Sequence, residues 1–234
     1  MVDLYYFILY NCLMLDILLS DMSGIQILIY LLSFLLAILF ALSLHEYAHA
    51  YIAVKQGDIT PKALGRLSLN PLRHIDPLGF LFLMLFGFGW AKPVPINPTK
   101  FKNFRKGLFL TSIAGVTMNL ILAIFSMGFL VLTNKYFNNN NNASLFLLIF
   151  FLQFTYINIG LAIFNLLPIY PLDGFNMLVS CLKFNSPFLN FMRKYGTYIL
   201  LGLMISGLLS IGISYVIDFI ANPLEMFWNW VFSI

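Results

Sequence analysis

Between Gly24 and Val54 the chain runs for about thirty residues with no proline, no lysine and no arginine. Tyrosines aside, its only ionisable side chains there are His45, Glu46 and His49, all close to the far end. At about 1.5 Å of rise per residue, such a stretch reads as a tilted helix that passes through a bilayer and ends just beyond it. The rest of the 234 residues has the same character, 61% hydrophobic and 9% charged, with a mean hydropathy of +0.89, where a soluble domain carries about 25% charge. Several segments approach the roughly 20 apolar residues a spanning helix needs, whereas barrel strands would alternate polar and apolar over about ten. The expected fold is an all-α membrane protein, a polytopic transmembrane helix bundle in the cell membrane.

Three regions are expected along the chain. Residues 1–22 form an N-terminal segment whose residues 4–20 are apolar but carry Asn11 and Asp16, and either span or lie at the interface; with no basic n-region and no small-residue cleavage site the segment reads as retained. Residues 23–222 form the core. Within it a loop from Lys55 to Asp76 precedes a run from Pro77 to Trp90 that is too short and glycine-rich to span, and is expected to be re-entrant and shielded by other helices. Spans are expected from about Gly107 to Leu132 and Ala143 to Leu167, joined by an exposed asparagine tract, Asn138 to Asn142. "NLLPIYPLDG" interrupts helix at Pro168 and Pro171 and restarts it near Gly174. A further span is expected from about Tyr195 to Ile217, and residues 223–234, with Trp228 and Trp230, read as an interfacial segment. Cys12 and Cys181 are far apart in apolar surroundings and read as reduced packing thiols.

The net charge of +4 does not indicate nucleic acid, because 12 of the 13 Lys and Arg residues fall in three short loops, 55–76, 92–106 and 183–194. That pattern places these loops on the cytoplasmic side, provided the run 77–90 enters and leaves by one face. His45 and His49 then lie roughly 14 and 8 Å before the cytoplasmic end of their helix, within the bilayer.

Four residues apart on a helix, His45 and His49 share a face and can ligate one metal ion, while Glu46 lies about 100° around, beside the metal. Two histidines with a flanking glutamate form the pattern by which a carboxylate takes a proton from water at a zinc centre. The same residues can also be read as two buried histidines hydrogen-bonded to neighbouring helices, but three intramembrane ionisable groups are costly without a compensating cation. A catalytic zinc site usually has a third protein ligand, and none is nearby on this helix. Asp173, freed from regular helix by the prolines of "NLLPIYPLDG", is either that ligand or a helix N-cap; the charge-derived topology brings it to the depth of the histidines. His74 reads as a turn or interface residue rather than a ligand.

"HEYAH" and "NLLPIYPLDG" resemble the paired signature of the site-2 protease family of intramembrane zinc metalloproteases. "GRLSLNPLRHIDPLG", "GFGWAKPVPINP" and "AGVTMN" are similar to the connecting motifs of its prokaryotic branch without a PDZ domain, so the resemblance covers roughly residues 30–185 in order. It implies one Zn2+ per chain held by His45, His49 and Asp173, with Glu46 as general base and acid. It further implies regulated intramembrane proteolysis, with transmembrane segments of other proteins as substrates. Asn165 would position substrate or stabilise the oxyanion, or would serve only as a polar contact near the helix break. "AGVTMN" lacks the proline usual after Ala-Gly, and "LDGFN" lacks a frequent second glycine; both departures concern helix packing. A non-catalytic metal-binding adaptor or chaperone and a metal-ion transporter are the competing expectations.

Overall fold

The computed structural model describes residues 22–86, 92–137, 141–183 and 186–233. The N-terminal apolar segment with Cys12, the end of the 77–90 run and most of the asparagine tract lie outside them. No strand is present among the described residues.

Helix α1, Gly24–Gln56, begins at a capping box in which Ser23 accepts from the Gln26 backbone and the Gln26 side chain accepts in return. It ends at Gly57, whose φ of 114° lies in the left-handed region where glycine carries no Cβ penalty. Every fourth residue from Ser33 to Ala53 is buried: Ser33, Ala37, Ala41, His45, His49 and Ala53. Apart from the two histidines this is a stripe of small side chains, the surface that lets helices approach closely in a membrane, where hydrocarbon supplies no solvent-driven force between them.

A short helix α2, Thr60–Ala63, and a single 3-10 turn at Pro71–Arg73 occupy the loop that follows. Helix α3, Pro77–Phe86, covers ten described residues, about 15 Å by its rise. Helix α4, Phe104–Tyr136, is capped by Asn103. Its buried stripe also recurs every four residues: Gly107, Thr111, Gly115, Asn119, Ala123, Met127 and Val131. Helix α5, Asn142–Leu166, packs against both α1 and α4, so these three helices are mutually in contact. After the proline-rich break, helix α6, Asp173–Cys181, starts at Asp173 and lies against α4.

The expected span from Tyr195 to Ile217 is not one helix. The chain forms α7, Pro187–Ile205, then turns at Ser206–Gly207, with Gly207 at φ 73°, and continues as α8, Leu208–Val231. Gly207 adopts a left-handed conformation that an L side chain resists, and the run around it, which has no charged residue and no proline, gives no sign of the break. Pro223 lies inside α8, so residues 223–231 are continuous with the helix that begins at Leu208. Trp228 sits against Gly128 of α4 and donates its indole N–H to the Ile124 carbonyl at 2.8 Å. Lys135 at the end of α4 reaches the Phe232 carbonyl, so α4 and α8 finish at the same end of the bundle.

Four helices, α1, α4, α5 and α8, are long and apolar enough to cross a membrane, which makes the chain multi-pass. Ala123, Met127, Tyr156, Ile159, Ile217 and Ala221 pack α4, α5 and α8 together at one level. Ala53, Phe101, Leu108, Phe175, Val179 and Leu189 close the end from which α6 and α7 emerge. Phe175 stands directly after Gly174, in the place of the frequent second glycine, and is 2% exposed in that cluster.

Candidate metal centre

The two four-residue stripes of α1 and α4 face each other, and the histidines of one meet Thr111, Gly115 and Asn119 of the other. Gly115 is required by proximity: a Cβ there would run into the imidazoles of both His45 and His49. Across this contact the Nδ1 of His49 donates to the Thr111 carbonyl at 2.7 Å. The Nδ1 of His45 donates to Oδ1 of Asn119 at 2.5 Å. The direction of the second bond is fixed by a relay, since Asn119 Nδ2 donates to Asn158 Oδ1 at 2.8 Å and Asn158 Nδ2 donates to the Phe154 carbonyl at 2.7 Å. A backbone carbonyl can only accept, so each amide in turn is held in one orientation. Both asparagines are fully buried.

With each Nδ1 protonated, each Nε2 presents a lone pair. The two Nε2 atoms lie 2.9 Å apart. Asp173 Oδ2 lies 3.4 Å from that of His45 and 3.1 Å from that of His49. Asp173 reaches this point from the first turn of α6, where Leu172, not Asp173, is the N-cap; its carboxylate is directed at the histidines instead of capping the helix. The close approach of α6 to the end of α5 depends on Gly174, whose Cβ would collide with the Leu166 carbonyl.

Three acceptors converging without a hydrogen between them is a costly arrangement, at about 1–3 kcal/mol for each buried group left unsatisfied. Asp173 Oδ2 is buried and accepts no hydrogen bond among the described residues. A cation resolves all three at once. Ligand atoms about 2.0–2.2 Å from a tetrahedral zinc ion stand about 3.3–3.6 Å from one another; of the observed edges, 3.4 Å lies in that range and 2.9 and 3.1 Å are a few tenths of an ångström shorter. His45, His49 and Asp173 are the group of His, Cys, Asp or Glu side chains found close enough to hold one ion among the described residues.

Glu46 is outside this triad, as its place on the helix requires, and its Oε2 accepts the backbone N–H of Val94 at 2.8 Å. His74 is buried in the loop after the 3-10 turn, where its Nε2 donates to the Ser68 carbonyl at 2.7 Å; it takes no part in the triad. Asn165, in the last turn of α5, donates to the Leu161 carbonyl at 3.0 Å. Asn119, Asn158, Gly115 and Val94 also build the centre, although no role was read for them in sequence. Gly115 and Asn119 lie in "AGVTMN", and their four-residue spacing from Thr111, which sets the three on one face, is the signal in the sequence.

The fold and the centre together define a multi-pass helical membrane protein in which two histidines and one carboxylate, flanked by a glutamate, could hold one metal ion. No protein-family model matches the chain, and no solved structure does. Curated proteins do. Over 144 residues, 61% of this chain and 66% of the relative, it is 44% identical to "Putative zinc metalloprotease YwhC" of Bacillus subtilis. Over 145 residues, 60% of this chain and 53% of the relative, it is 32% identical to "Putative zinc metalloprotease Rip2" of Mycolicibacterium smegmatis; the protein of that name from Mycobacterium tuberculosis is 33% identical over the same shares. The match thus spans just under two thirds of the first relative and about half of the others. The motifs and the centre of this chain resemble those of the site-2 protease family, and the relatives it matches are named as zinc metalloproteases.

Proposed function

We propose that this chain is a zinc-dependent intramembrane endopeptidase that cleaves transmembrane segments of other membrane proteins from a centre on the cytoplasmic side of the bilayer. The observation that carries the reading is the convergence of His45 Nε2, His49 Nε2 and Asp173 Oδ2 on one point, beside a glutamate that is not itself a ligand. The relatives named as zinc metalloproteases support the choice of ion and reaction, and the loops rich in Lys and Arg support the orientation.

Zinc bound here would lower the pKa of water toward 7 and polarise the scissile carbonyl. Glu46 accepts the proton of the attacking water and delivers it to the leaving amine. The Val94 N–H, donating to Oε2, fixes the orientation of the Glu46 carboxylate and leaves Oε1 available for transfer. Asn119 and the Thr111 carbonyl hold the two imidazoles with Nε2 toward the centre. Asn165 has a second amide N–H beyond the one used within α5, and we assign that group to the substrate carbonyl. The bond to be cut must leave its own helix, since intrahelical hydrogen bonding shields it from attack. The extended, proline-bearing stretch Lys92–Asn97 is the place proposed to receive it.

The test is cleavage of a membrane-spanning substrate by the purified protein in proteoliposomes. Glu46→Gln is expected to keep about one zinc per chain while losing at least the roughly 10²-fold contributed by a general base; His45→Ala is expected to lose metal and cleavage together. Cleavage by Glu46→Gln at the native rate, or zinc flux through the native protein without cleavage, would end this reading.

A further inference from the structure

The stretch Lys92–Asn97 belongs to no helix or strand, and Pro93 and Pro95 have no N–H to give. It nevertheless presents the buried N–H of Val94 to Glu46. Two buried groups of opposite charge hold it, one on each side of Val94.

On the near side Arg66, 8% exposed, donates from Nη2 to the carbonyls of Lys92 and Pro93, the latter at 3.2 Å, and from Nη1 to the carbonyl of Arg73. The Lys92 N–H donates in turn to the His74 carbonyl at 2.9 Å. On the far side Asp58, fully buried, accepts the Asn97 N–H on Oδ2 at 2.6 Å. Its Oδ1 accepts the N–H and hydroxyl of Thr60. Asp58 is tied to the metal-bearing helix through its own N–H, which donates to the Ala53 carbonyl of α1 at 3.0 Å. A guanidinium buried among carbonyls, with no carboxylate in contact among the described residues, is an expensive way to join two loops when apolar packing could do so. Its geometric product is the fixed position of one N–H.

We propose that Asp58 and Arg66 are positioning residues for Glu46, acting through the stretch Lys92–Asn97 to hold the Val94 N–H against its carboxylate. The inference rests on the proteolytic reading above, in which Glu46 transfers the proton. Asp58 fixes the stretch to the end of α1, the helix that carries Glu46, so base and donor share one frame. Losing either clamp frees the Val94 N–H to drift. A misplacement of about 1 Å at a reacting group can cost up to about 10²-fold.

The experiment compares Asp58→Asn, Arg66→Gln, Val94→Pro and the double variant Arg66→Gln/Val94→Pro in proteoliposomes containing a fluorogenic membrane-spanning peptide. Each single variant is expected to lower kcat about tenfold or more while retaining one zinc per chain, because none touches the triad. On Val94→Pro, which has no N–H to position, Arg66→Gln is expected to add less than about twofold, since residues acting through one contact are not additive. A native kcat in both clamp variants would overturn the proposal, as would multiplicative losses in the double variant or loss of zinc in step with activity. If Arg66→Gln does not accumulate in the membrane, Arg66→Lys replaces it. Lys keeps the charge but not the fork that meets three carbonyls, and the same tenfold fall with zinc retained is expected. Failure of the proteolytic reading would be distinct: the native protein would not cut, or Glu46→Gln would cut as well as the native protein.

Discussion

Asn119 of α4 accepts the Nδ1 proton of His45 on α1, and through Asn158 the bond is referred to a backbone carbonyl of α5. One imidazole is thus oriented by all three helices of the central trio. Partners of this kind typically change metal affinity by 10–100-fold when removed. Asn119→Ala is expected to weaken zinc by that factor in competition with a chelator. Asn119→Asp, which can still accept from His45, is expected to lie between the two. Unchanged zinc retention in Asn119→Ala would show that the relay only fills space.

Gly115 gives a prediction with a built-in control. Replacing an interior helical glycine by alanine ordinarily favours the helix by up to about 1 kcal/mol, and Gly202 in α7 has nothing within 4 Å of a would-be Cβ. Gly202→Ala is therefore expected to keep zinc and to melt no lower than the native protein. Gly115→Ala is expected to lose zinc, because its methyl would occupy the space of both imidazoles. Equal zinc content in the two variants would remove Gly115 from the centre.

The orientation of the bundle is open to direct measurement. Lys102, whose N–H is bonded to the Gln56 carbonyl at the end of α1, is expected in the cytoplasm, and Asn141, at the start of α5, on the opposite side. With Cys12 and Cys181 replaced, single cysteines at positions 102 and 141 should react with an impermeant reagent from opposite faces. Labelling from one face would overturn the inside placement of the basic loops.

Asp58 lies just beyond α1, and burial alone would raise its carboxyl pKa. The N–H of Asn97, the hydroxyl and N–H of Thr60 and the nearby Lys100 ammonium outweigh that and hold it below the usual carboxylate range. A depressed folded-state pKa contributes stability that is fully present above the unfolded value, about 4, and is lost as pH falls through the folded value. Asp58→Asn is therefore expected to unfold at lower temperature than the native protein at pH 7, with the gap narrowing as pH falls below about 4. A gap that did not change with pH would show that the charge on Asp58 is not what matters.

How much of this was legible in sequence depends on whether the signal sits in side chains. The crossing helices α1, α4 and α5 and the triad were readable, because apolar length announces a span and ionisable residues stand out within it. The division of the expected Tyr195–Ile217 span was not, since Gly207 turns the chain inside a run that holds no charged residue and no proline. Asn158 looks the same in sequence whether it faces a ligand or another helix. The Val94 donor leaves no trace at all, because a backbone N–H is common to every residue but proline, and only the path of the loop gives it a partner. The courses of residues 1–21 and 87–91 fall outside the described residues, so the expectations placed on them stand as they were.

The triad joins His45 and His49 to a ligand at position 173, 124 residues later than His49 in the chain (173 − 49). Synthesis proceeds from the N-terminus, at about 5–20 residues per second. For several seconds of its manufacture, α1 therefore sits in the membrane with both imidazoles and Glu46 in place but without the carboxylate that completes the centre. A ribosome-bound fragment, or one truncated before Asp173, lacks the full ligand set. In the order of synthesis, the carboxylate therefore joins the two histidines only after the central trio of helices has been made.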